Sequence, residues 1–210
     1  MKINEIFHSI QGESTHAGRP CVFVRTTGCS LRCVWCDTKY AFYEGRERSL
    51  DEIIAEVRSY GCPLIELTGG DPLEAPEAPE LCRRLLDLGH EVLVETGGHR
   101  DISVIDPRAR VIMDIKCPGS HMSDKMDWQN LGRLWRGCEL KFVLANRADY
   151  DWALQTIRDK NLDRWPLLFS PVHGDLELRP LAEWMLADRV SARLQVQMHK
   201  YIWDAATRGV

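Results

Sequence analysis

Apolar residues along the chain fall into short runs bounded by Gly, Pro and polar clusters, and between several runs the spacing changes to that of an amphipathic helix. Val22 and Val24 with their apolar neighbours read as a first strand. Ser49-Leu50-Asp51-Glu52 has the capping-box pattern of a helix start, Ile53, Ile54 and Val57 recur at helical spacing, and Gly61 is the stop. Pro63 to Leu67 is a second strand, and Pro79 to Leu88 a helix with Leu81, Leu85 and Leu88 on one face and Gly89 after it. Val92-Leu93-Val94, Val111-Ile112-Met113 and Leu140 to Leu144 give three more strands. A helix from about Ala148 to Lys160, a strand at Leu167-Leu168-Phe169, a helix across Leu181 to Leu186 and a strand near Leu194-Gln195-Val196 complete the series.

Strands alternating with helices predict an α/β fold with a parallel sheet and right-handed crossovers, either open or closed into a barrel. Polar residues help to choose between the two. Thr68-Gly69-Gly70-Asp71, Glu95-Thr96-Gly97-Gly98, Asp114 with Lys116, Ser170-Pro171, and Gln197 with His199 and Lys200 each follow a strand. Barrel enzymes collect their catalytic groups at such carboxyl ends. The 210 residues fall short of the ~250 typical of a full eight-fold barrel, so a partial (βα) barrel of about six parallel strands is expected. No linker, repeat or low-complexity tract divides the chain, and residues 1–210 read as a single domain. Glu74 to Glu80 is only a short Pro- and acid-rich loop.

Charge adds an exclusion. With 27 basic against 31 acidic residues the net charge of -4 offers no electrostatic footprint for nucleic acid. Met1-Lys2-Ile3-Asn4-Glu5 lacks the apolar core of a signal peptide, and no stretch approaches the roughly 18 apolar residues of a membrane span, so a cytoplasmic enzyme without a membrane partner is expected. Eight cysteines in such a chain are ligands or small core residues rather than disulfides. Cys21, Cys62, Cys82, Cys117 and Cys138 are scattered and read as core or strand-edge thiols.

Cys29-Ser30-Leu31-Arg32-Cys33-Val34-Trp35-Cys36 differs, because its three thiols sit in one short loop, separated by three and then two residues. Thiolates are the usual ligands of iron–sulfur clusters, and three of them leave a cubane cluster one iron short of full protein ligation. A zinc site completed by a His is the alternative. It would need a fourth ligand at similarly tight spacing, whereas the next His is His90 and His16 lies upstream across a strand. The loop 29–36, with Trp35 just before its last thiol, resembles that of the radical S-adenosylmethionine (SAM) superfamily. The resemblance implies a partial barrel of radical SAM type, a 4Fe-4S cluster on Cys29, Cys33 and Cys36, and SAM chelating the fourth iron.

Other stretches sharpen the reading. Glycines at 69 and 70 let the backbone approach a ligand closely, although a Gly-Gly turn before a helix can be only a turn. Glu95 and the Asp114-Ile115-Lys116 segment are candidates for the ribose and carboxylate of SAM, or solvated charges at strand ends. Near the start, an apolar run leads into Gln11-Gly12-Glu13, and Arg25 follows before Cys29. Gln and Glu offer the donor and acceptor pairs of a polar ring edge, and Arg is a two-pronged donor for carboxylate. A surface hairpin with a structural Arg is the other reading.

Taken in order, Gln-Gly-Glu, the Arg before the cluster loop, Cys36-Asp37-Thr38, Thr68 to Pro72, Glu95 to Gly98 and Gln197-Met198-His199-Lys200-Tyr201-Ile202-Trp203 resemble the 7-carboxy-7-deazaguanine synthase family across almost the whole chain. That resemblance implies conversion of 6-carboxy-5,6,7,8-tetrahydropterin to 7-carboxy-7-deazaguanine with loss of ammonia, in the pathway to queuosine and other 7-deazapurines. It implies SAM contacts from Trp35, Cys36, Asp37, Gly69, Gly70, Asp71, Glu95, Asp114, Ile115, Lys116, Ser170, Pro171, Val172 and His173. Substrate contacts would come from Ile10, Gln11, Gly12, Glu13, Arg25, Thr68 and His199, and a Mg²⁺ contact from Thr38. A homodimer and a protein reductant such as flavodoxin are implied as well. Some members end soon after the His-Lys-Tyr segment, whereas this chain runs on to Val210, which leaves the place of its tail open. A glycyl-radical-enzyme activase shares the thiol spacing but gives no reason for Gln11, Glu13 and Arg25.

Overall fold

Local chemistry fixes the helix boundaries. In the computed structural model, which describes residues 1–210, helix α1 (Leu50–Ser59) starts on a full capping box, the Ser49 hydroxyl accepting from the Glu52 amide and the Glu52 carboxylate accepting from the Ser49 amide. Ile53, Ile54 and Val57 are its buried face. Helix α2 (Ala78–Asp87) buries Leu81, Cys82 and Leu85, but Leu88, expected on the same face, lies just past the helix end and is exposed. Helix α3 (Arg147–Lys160) is capped by Asn146 and ends on Asn161 in the left-handed conformation that asparagine tolerates. Helix α4 (Leu178–Asp188) buries Leu181 and Met185, and α5 (His199–Ile202) is a single turn.

One nine-stranded sheet runs through the molecule in the order β3-β1-β2-β4-β5-β6-β7-β8-β9. Its strands are β1 (Lys2–Ile10), β2 (Pro20–Thr26), β3 (Arg46–Glu47), β4 (Leu64–Gly69), β5 (Glu91–Thr96), β6 (Arg110–Ile115), β7 (Glu139–Leu144), β8 (Leu167–Pro171) and β9 (Arg193–Leu194). From β2 to β9 every pairing is parallel, which gives six substantial strands and a two-residue seventh. The two terminal strands of the sheet, β3 and β9, do not pair with each other, so the barrel is partial.

Three features depart from the sequence reading. β1 is a nine-residue strand paired antiparallel to β2, where only an apolar run was evident. Of its residues only Ile3 is buried, so the strand lacks a clean alternation, and its place depends on partners such as Phe23, whose ring stacks on Phe7 at 5.0 Å. The crossovers from β5 to β6 and from β6 to β7 are built of 3₁₀ turns rather than α-helices. The last strand, Arg193–Leu194, starts one residue and ends two residues earlier than expected, and Gln195 follows it.

Side-chain alternation along the parallel strands creates the two faces that matter. Val22, Val24, Ile65, Leu67, Val94, Met113, Leu140, Phe142 and Phe169 belong to a 42-residue apolar core. The positions between them, Phe23 and Arg25, Glu66 and Thr68, Glu95, Asp114, Lys141, and Ser170, point the other way and line one cavity. Cys21, Cys62, Cys82, Cys117 and Cys138 are all buried in the core, where burial pushes the Cys82 thiol up to about 12 and keeps it an inert neutral thiol.

The capping box gives a test that leaves the cavity untouched. Ser49→Ala is expected to lower stability by about 1 kcal/mol, read as a shift in denaturation midpoint at constant m-value. A midpoint that does not move would mean that packing alone holds α1.

Candidate active site

The three-thiol loop emerges from the end of β2 and is fixed by its neighbours before any ligand is considered. The Asp71 amide donates to the Gly28 carbonyl at 2.8 Å, the Gly70 amide to the Thr26 carbonyl at 3.1 Å, the Ser30 amide to Glu74 at 3.0 Å, and the Val34 amide to the Ser120 carbonyl at 3.3 Å. Gly70 has to be glycine: a Cβ there would lie 2.1 Å from the Gly28 carbonyl oxygen. Gly69 has φ +142, and a Cβ on it would meet Thr26 at 2.4 Å. The Gly-Gly pair therefore lets two strand-end loops pack backbone to backbone.

Asp71 completes this brace. Its carboxylate accepts from the Leu73 amide at 2.9 Å, the Thr96 hydroxyl at 2.8 Å and the Gly97 amide at 2.7 Å, so it ties the loop after β4 to the loop after β5 and is itself buried.

Cys29, Cys33 and Cys36 are partly exposed, and all three line a cavity of about 820 Å³ at the carboxyl ends of the parallel strands. Burial pushes the Cys29 thiol up to about 11 and raises Cys33, while the Lys116 ammonium pulls both the other way. As free groups they are thiols at neutral pH, and holding them as thiolates needs the charge of a metal centre. No three His, Cys, Asp or Glu side chains converge closely enough to hold a single ion, as zinc requires. Thiolates that each bind a different iron of one cluster need not converge in that way. The loop therefore fits an iron–sulfur cluster better than zinc.

One wall of the cavity suits a polar ligand. Asp114 accepts from the Lys116 ammonium at 2.6 Å through one oxygen, while its other oxygen is buried without any protein partner. Such an atom calls for a donor from a bound molecule. Trp35, Asp37, Glu95, Ser170, Val172 and His173 line the same space. Ile115 does not, its side chain being in the core, and Pro171 faces a smaller cavity of about 200 Å³ next door.

Ile10, Gln11, Gly12, Glu13, Arg25, Thr68 and His199 line the same cavity. The β1–β2 pair is the hairpin that the sequence offered as an alternative, and it also faces the cavity. Arg25 is paired through Nε with Glu5 at 2.8 Å, and the Tyr40 hydroxyl donates to the same Glu5 oxygen at 3.0 Å. Glu5 is its one protein acceptor, so the ends of the guanidinium fork remain for a ligand. Thr38, also on the cavity, has its hydroxyl 3.7 Å from the Cys36 sulfur.

Several residues of the site had no contact assigned to them in the sequence reading, and Lys141 and Glu66 were not singled out at all. Lys141 on β7 is buried and donates to Glu13 at 2.8 Å and to Glu95. Glu66 on β4 is buried beside them and accepts from the Gln11 amide. Gln197 donates to Glu13 at 3.1 Å and to Asp37 at 3.0 Å, and Lys200 donates to Asp37 at 2.8 Å. Burial works to raise Asp37, but the Lys200 ammonium and these hydrogen bonds hold its carboxyl down to about 2. The tail also arrives here: residues 205–210 line the cavity, with the Arg208 guanidinium 3.7 Å from the Tyr40 ring centroid. A signal for Glu66 and Lys141 was present, since each is a lone charge inside an apolar strand run.

The packing of the two glycine-bearing loops yields a prediction. Gly70→Ala must displace the Gly28 carbonyl, at a cost on the order of 2 kcal/mol or more, and should lower both the denaturation midpoint and the iron bound per chain after anaerobic reconstitution. Wild-type iron content at a wild-type midpoint would show that the approach at Gly28 is not limiting.

Comparison with known proteins agrees with this geometry. Residues 23–117 match the Radical SAM superfamily model. The 7-carboxy-7-deazaguanine synthase of Chlorobaculum tepidum is 44% identical over 214 residues, covering 100% of this chain and 97% of that protein. The synthase of Koribacter versatilis is 40% identical over 226 residues, with 100% of both chains covered. The crystal structure of QueE from Escherichia coli superposes with a TM-score of 0.78 at 24% identity over 94% of each chain, a likeness of fold. A single sheet with the three-thiol loop at its carboxyl edge, matched end to end by these relatives, means that the chain belongs to the 7-carboxy-7-deazaguanine synthase family of radical SAM enzymes.

Proposed function

We propose that the chain converts 6-carboxy-5,6,7,8-tetrahydropterin to 7-carboxy-7-deazaguanine with release of ammonia, as a step of queuosine and 7-deazapurine biosynthesis. The observation that carries this reading is the one cavity in which the three-thiol loop, the Arg25 fork and the Glu13–Lys141–Glu95 cluster stand together. When bound, the reduced cluster and SAM supply the radical that takes a hydrogen from the substrate and later returns it.

In this reading Cys29, Cys33 and Cys36 hold the cluster. Asp114 and Lys116 orient SAM with Trp35, Cys36, Asp37, Glu95 and the Ser170 to His173 segment, of which Pro171 contributes main chain only, as does Ile115. Gly69, Gly70 and Asp71 set the position of the loop against which SAM lies. Arg25 takes the substrate carboxylate, while Gln11, Glu13 and Thr68 read the ring edge, with the main chain of Ile10 and Gly12 beside them. Burial lowers the His199 imidazole below its usual range, so it meets the substrate as a neutral ring with one donor and one acceptor nitrogen. Thr38 offers a hydroxyl oxygen to Mg²⁺, a cation that prefers oxygen ligands and leaves positions for the substrate carboxylate. The reading further includes a homodimer in the cytoplasm, reduced by an electron-transfer protein such as flavodoxin. No helix is long and apolar enough to cross a membrane.

Anaerobic turnover of 6-carboxytetrahydropterin, followed by mass spectrometry, tests the reaction directly, and absence of the deazaguanine product from cluster-loaded, reduced enzyme would overturn it. Cys29→Ala, Cys33→Ala and Cys36→Ala should each abolish the iron–sulfur absorbance and the activity, there being no spare thiol at the loop. Arg25→Lys should lower kcat/KM by roughly 30-fold or more, since truncating a buried charge pair costs about 2–5 kcal/mol and an ammonium lacks the planar fork. The same variant should still load its cluster and bind SAM. Wild-type kcat/KM in Arg25→Lys would remove the carboxylate clamp. For Thr38→Ala the expectation is lower activity that added Mg²⁺ partly restores, and an unaltered Mg²⁺ response would take Thr38 out of the metal site.

A further inference from the structure

Glu66 sits at the centre of β4 between Ile65 and Leu67 of the apolar core, and its own side chain faces the cavity at 3% exposure. Three titratable groups meet it there: Glu13 from the β1–β2 loop, Glu95 from β5 and Lys141 from β7. Three carboxyl groups thus share one ammonium. Lys141 donates to Glu13 at 2.8 Å and to Glu95, but makes no bond to Glu66. Of the other cations of the cavity, Lys116 is paired with Asp114, Lys200 with Asp37, Arg208 with Glu44 and Arg25 through Nε with Glu5, and none of them, nor Lys39, bonds to Glu66.

Hydrogen bonding points the same way. A buried carboxylate is kept ionised by a cation or by two or three donors. Glu66 has one N–H donor, the Gln11 side-chain amide bonded to Oε2, and its carboxyl also meets that of Glu95, a contact that two carboxylates do not make without a proton between them. That amide cannot turn to offer its carbonyl, because the Gln11 oxygen already accepts from the Glu13 main-chain amide at 2.8 Å. A neutral acid with its proton on Oε1 satisfies this arrangement, and a carboxylate does not. Burial, with the charges of Glu95 and Glu13 adding to it, raises the Glu66 carboxyl well above its usual range.

We infer that Glu66 is a further specificity-determining residue of this site, a carboxylic acid that stays protonated and shares its O–H between Glu95 and an acceptor atom on the substrate ring, beside the Glu13 carboxyl, which accepts from the ring. This rests on the pterin reading proposed above and deepens it. An amino-pyrimidinone edge carries N–H donors next to a ring nitrogen and a carbonyl oxygen, which is the complement of an acceptor at Glu13 beside a donor at Glu66. A ring that presents a donor at that position would set it against the Glu66 hydroxyl in a closed site and would be rejected. Lys141 is the positioning residue of the set, since its ammonium bonds Glu13 and Glu95 but not Glu66 and so leaves the proton to Glu66.

The test uses cluster-loaded, SAM-bound enzyme without reductant, so that 6-carboxytetrahydropterin binds and does not react. Glu66→Met keeps the volume and removes the donor, and should weaken equilibrium binding about tenfold or more, the cost of one buried hydrogen bond left unmade. Glu66→Gln restores a donor without a charge and should recover most of that loss. Infrared difference spectra of wild type against Glu66→Gln should show a protonated-carboxyl C=O band at neutral pH that shifts in D₂O, a readout that survives even if the Met variant fails to fold. Absence of the band, equal binding by wild type and Glu66→Met, or binding by Glu66→Gln as weak as that of Glu66→Met would each overturn the assignment. Wild-type enzyme that shows the band yet binds no pterin overturns the pterin reading, and with it the ring specificity assigned to Glu66.

Discussion

A single buried ammonium, that of Lys141, holds the interior of this barrel together. It reaches Glu13, 128 residues away in sequence, and Glu95, 46 residues away. Taking any of these groups out of water is costly, and their attraction compensates only when each charge has its partner. The consequence is an all-or-nothing arrangement, in which removing Lys141 leaves two carboxylates facing each other beside Glu66. The amino-terminal loop depends on this tie for its position. It is fixed a second time lower down, where the Thr15 amide donates to Glu139 at 3.0 Å and the His16 ring meets Glu91 at 3.0 Å. Glu13 against Lys141 and Thr15 against Glu139 are two rungs of one alignment along β7, and together they set the height at which Gln11 and Glu13 enter the cavity.

The cluster loop depends on a different kind of contact. Apart from the Glu74 carboxylate, which accepts from the Ser30 amide, its base is held by main-chain hydrogen bonds to Gly28 and Thr26, and these form only because residues 69 and 70 have no side chains. Asp71 then carries the constraint across to β5 through Thr96 and Gly97. Side chains on the loop are thereby placed against the same strand ends that carry Asp114 and Glu95. Rigidity at the base and polar groups on the rim are what a site needs if two ligands are to meet within it at fixed distance.

Much of this was legible in the chain. The parallel strands from β2 to β8 announce themselves as apolar runs, and α1 carries its cap in Ser49-Leu50-Asp51-Glu52, whereas the Asn146 cap of α3 was not read from the sequence. The thiol loop and the residues after each strand were legible because site chemistry needs particular residue types at strand ends. What sequence spacing could not show was which residues meet. Asp71 looks like a ligand contact in Thr-Gly-Gly-Asp-Pro, yet its carboxylate is consumed by neighbouring loops. Glu66 and Lys141 look like interruptions of apolar strands, and only the alternation of faces in a curved sheet turns them inward together. β1 has no clean period because just one of its residues is buried. The two helix-free crossovers follow no periodic pattern at all.

The tail makes the same point from the other end of the chain. Arg208 lies over the Tyr40 ring and pairs with Glu44 at 2.9 Å, while Tyr40 donates to Glu5, the partner of Arg25. A path of contacts thus runs from the last residues through the segment after the cluster loop to the first strand. Each link is modest, a cation over an aromatic face or an ion pair near the surface, worth about 0.5–1 kcal/mol at exposed sites. Their effect is geometric. Both chain termini have to be in place before the Arg25 side of the cavity has its wall, whereas the cluster side needs only the loops after β2, β4 and β5. The site therefore divides into a half built by local strand-end packing and a half built by the longest-range contacts of the fold. In the reading proposed above, substrate binding draws on the second half, so it is the function most exposed to changes at either end of the chain.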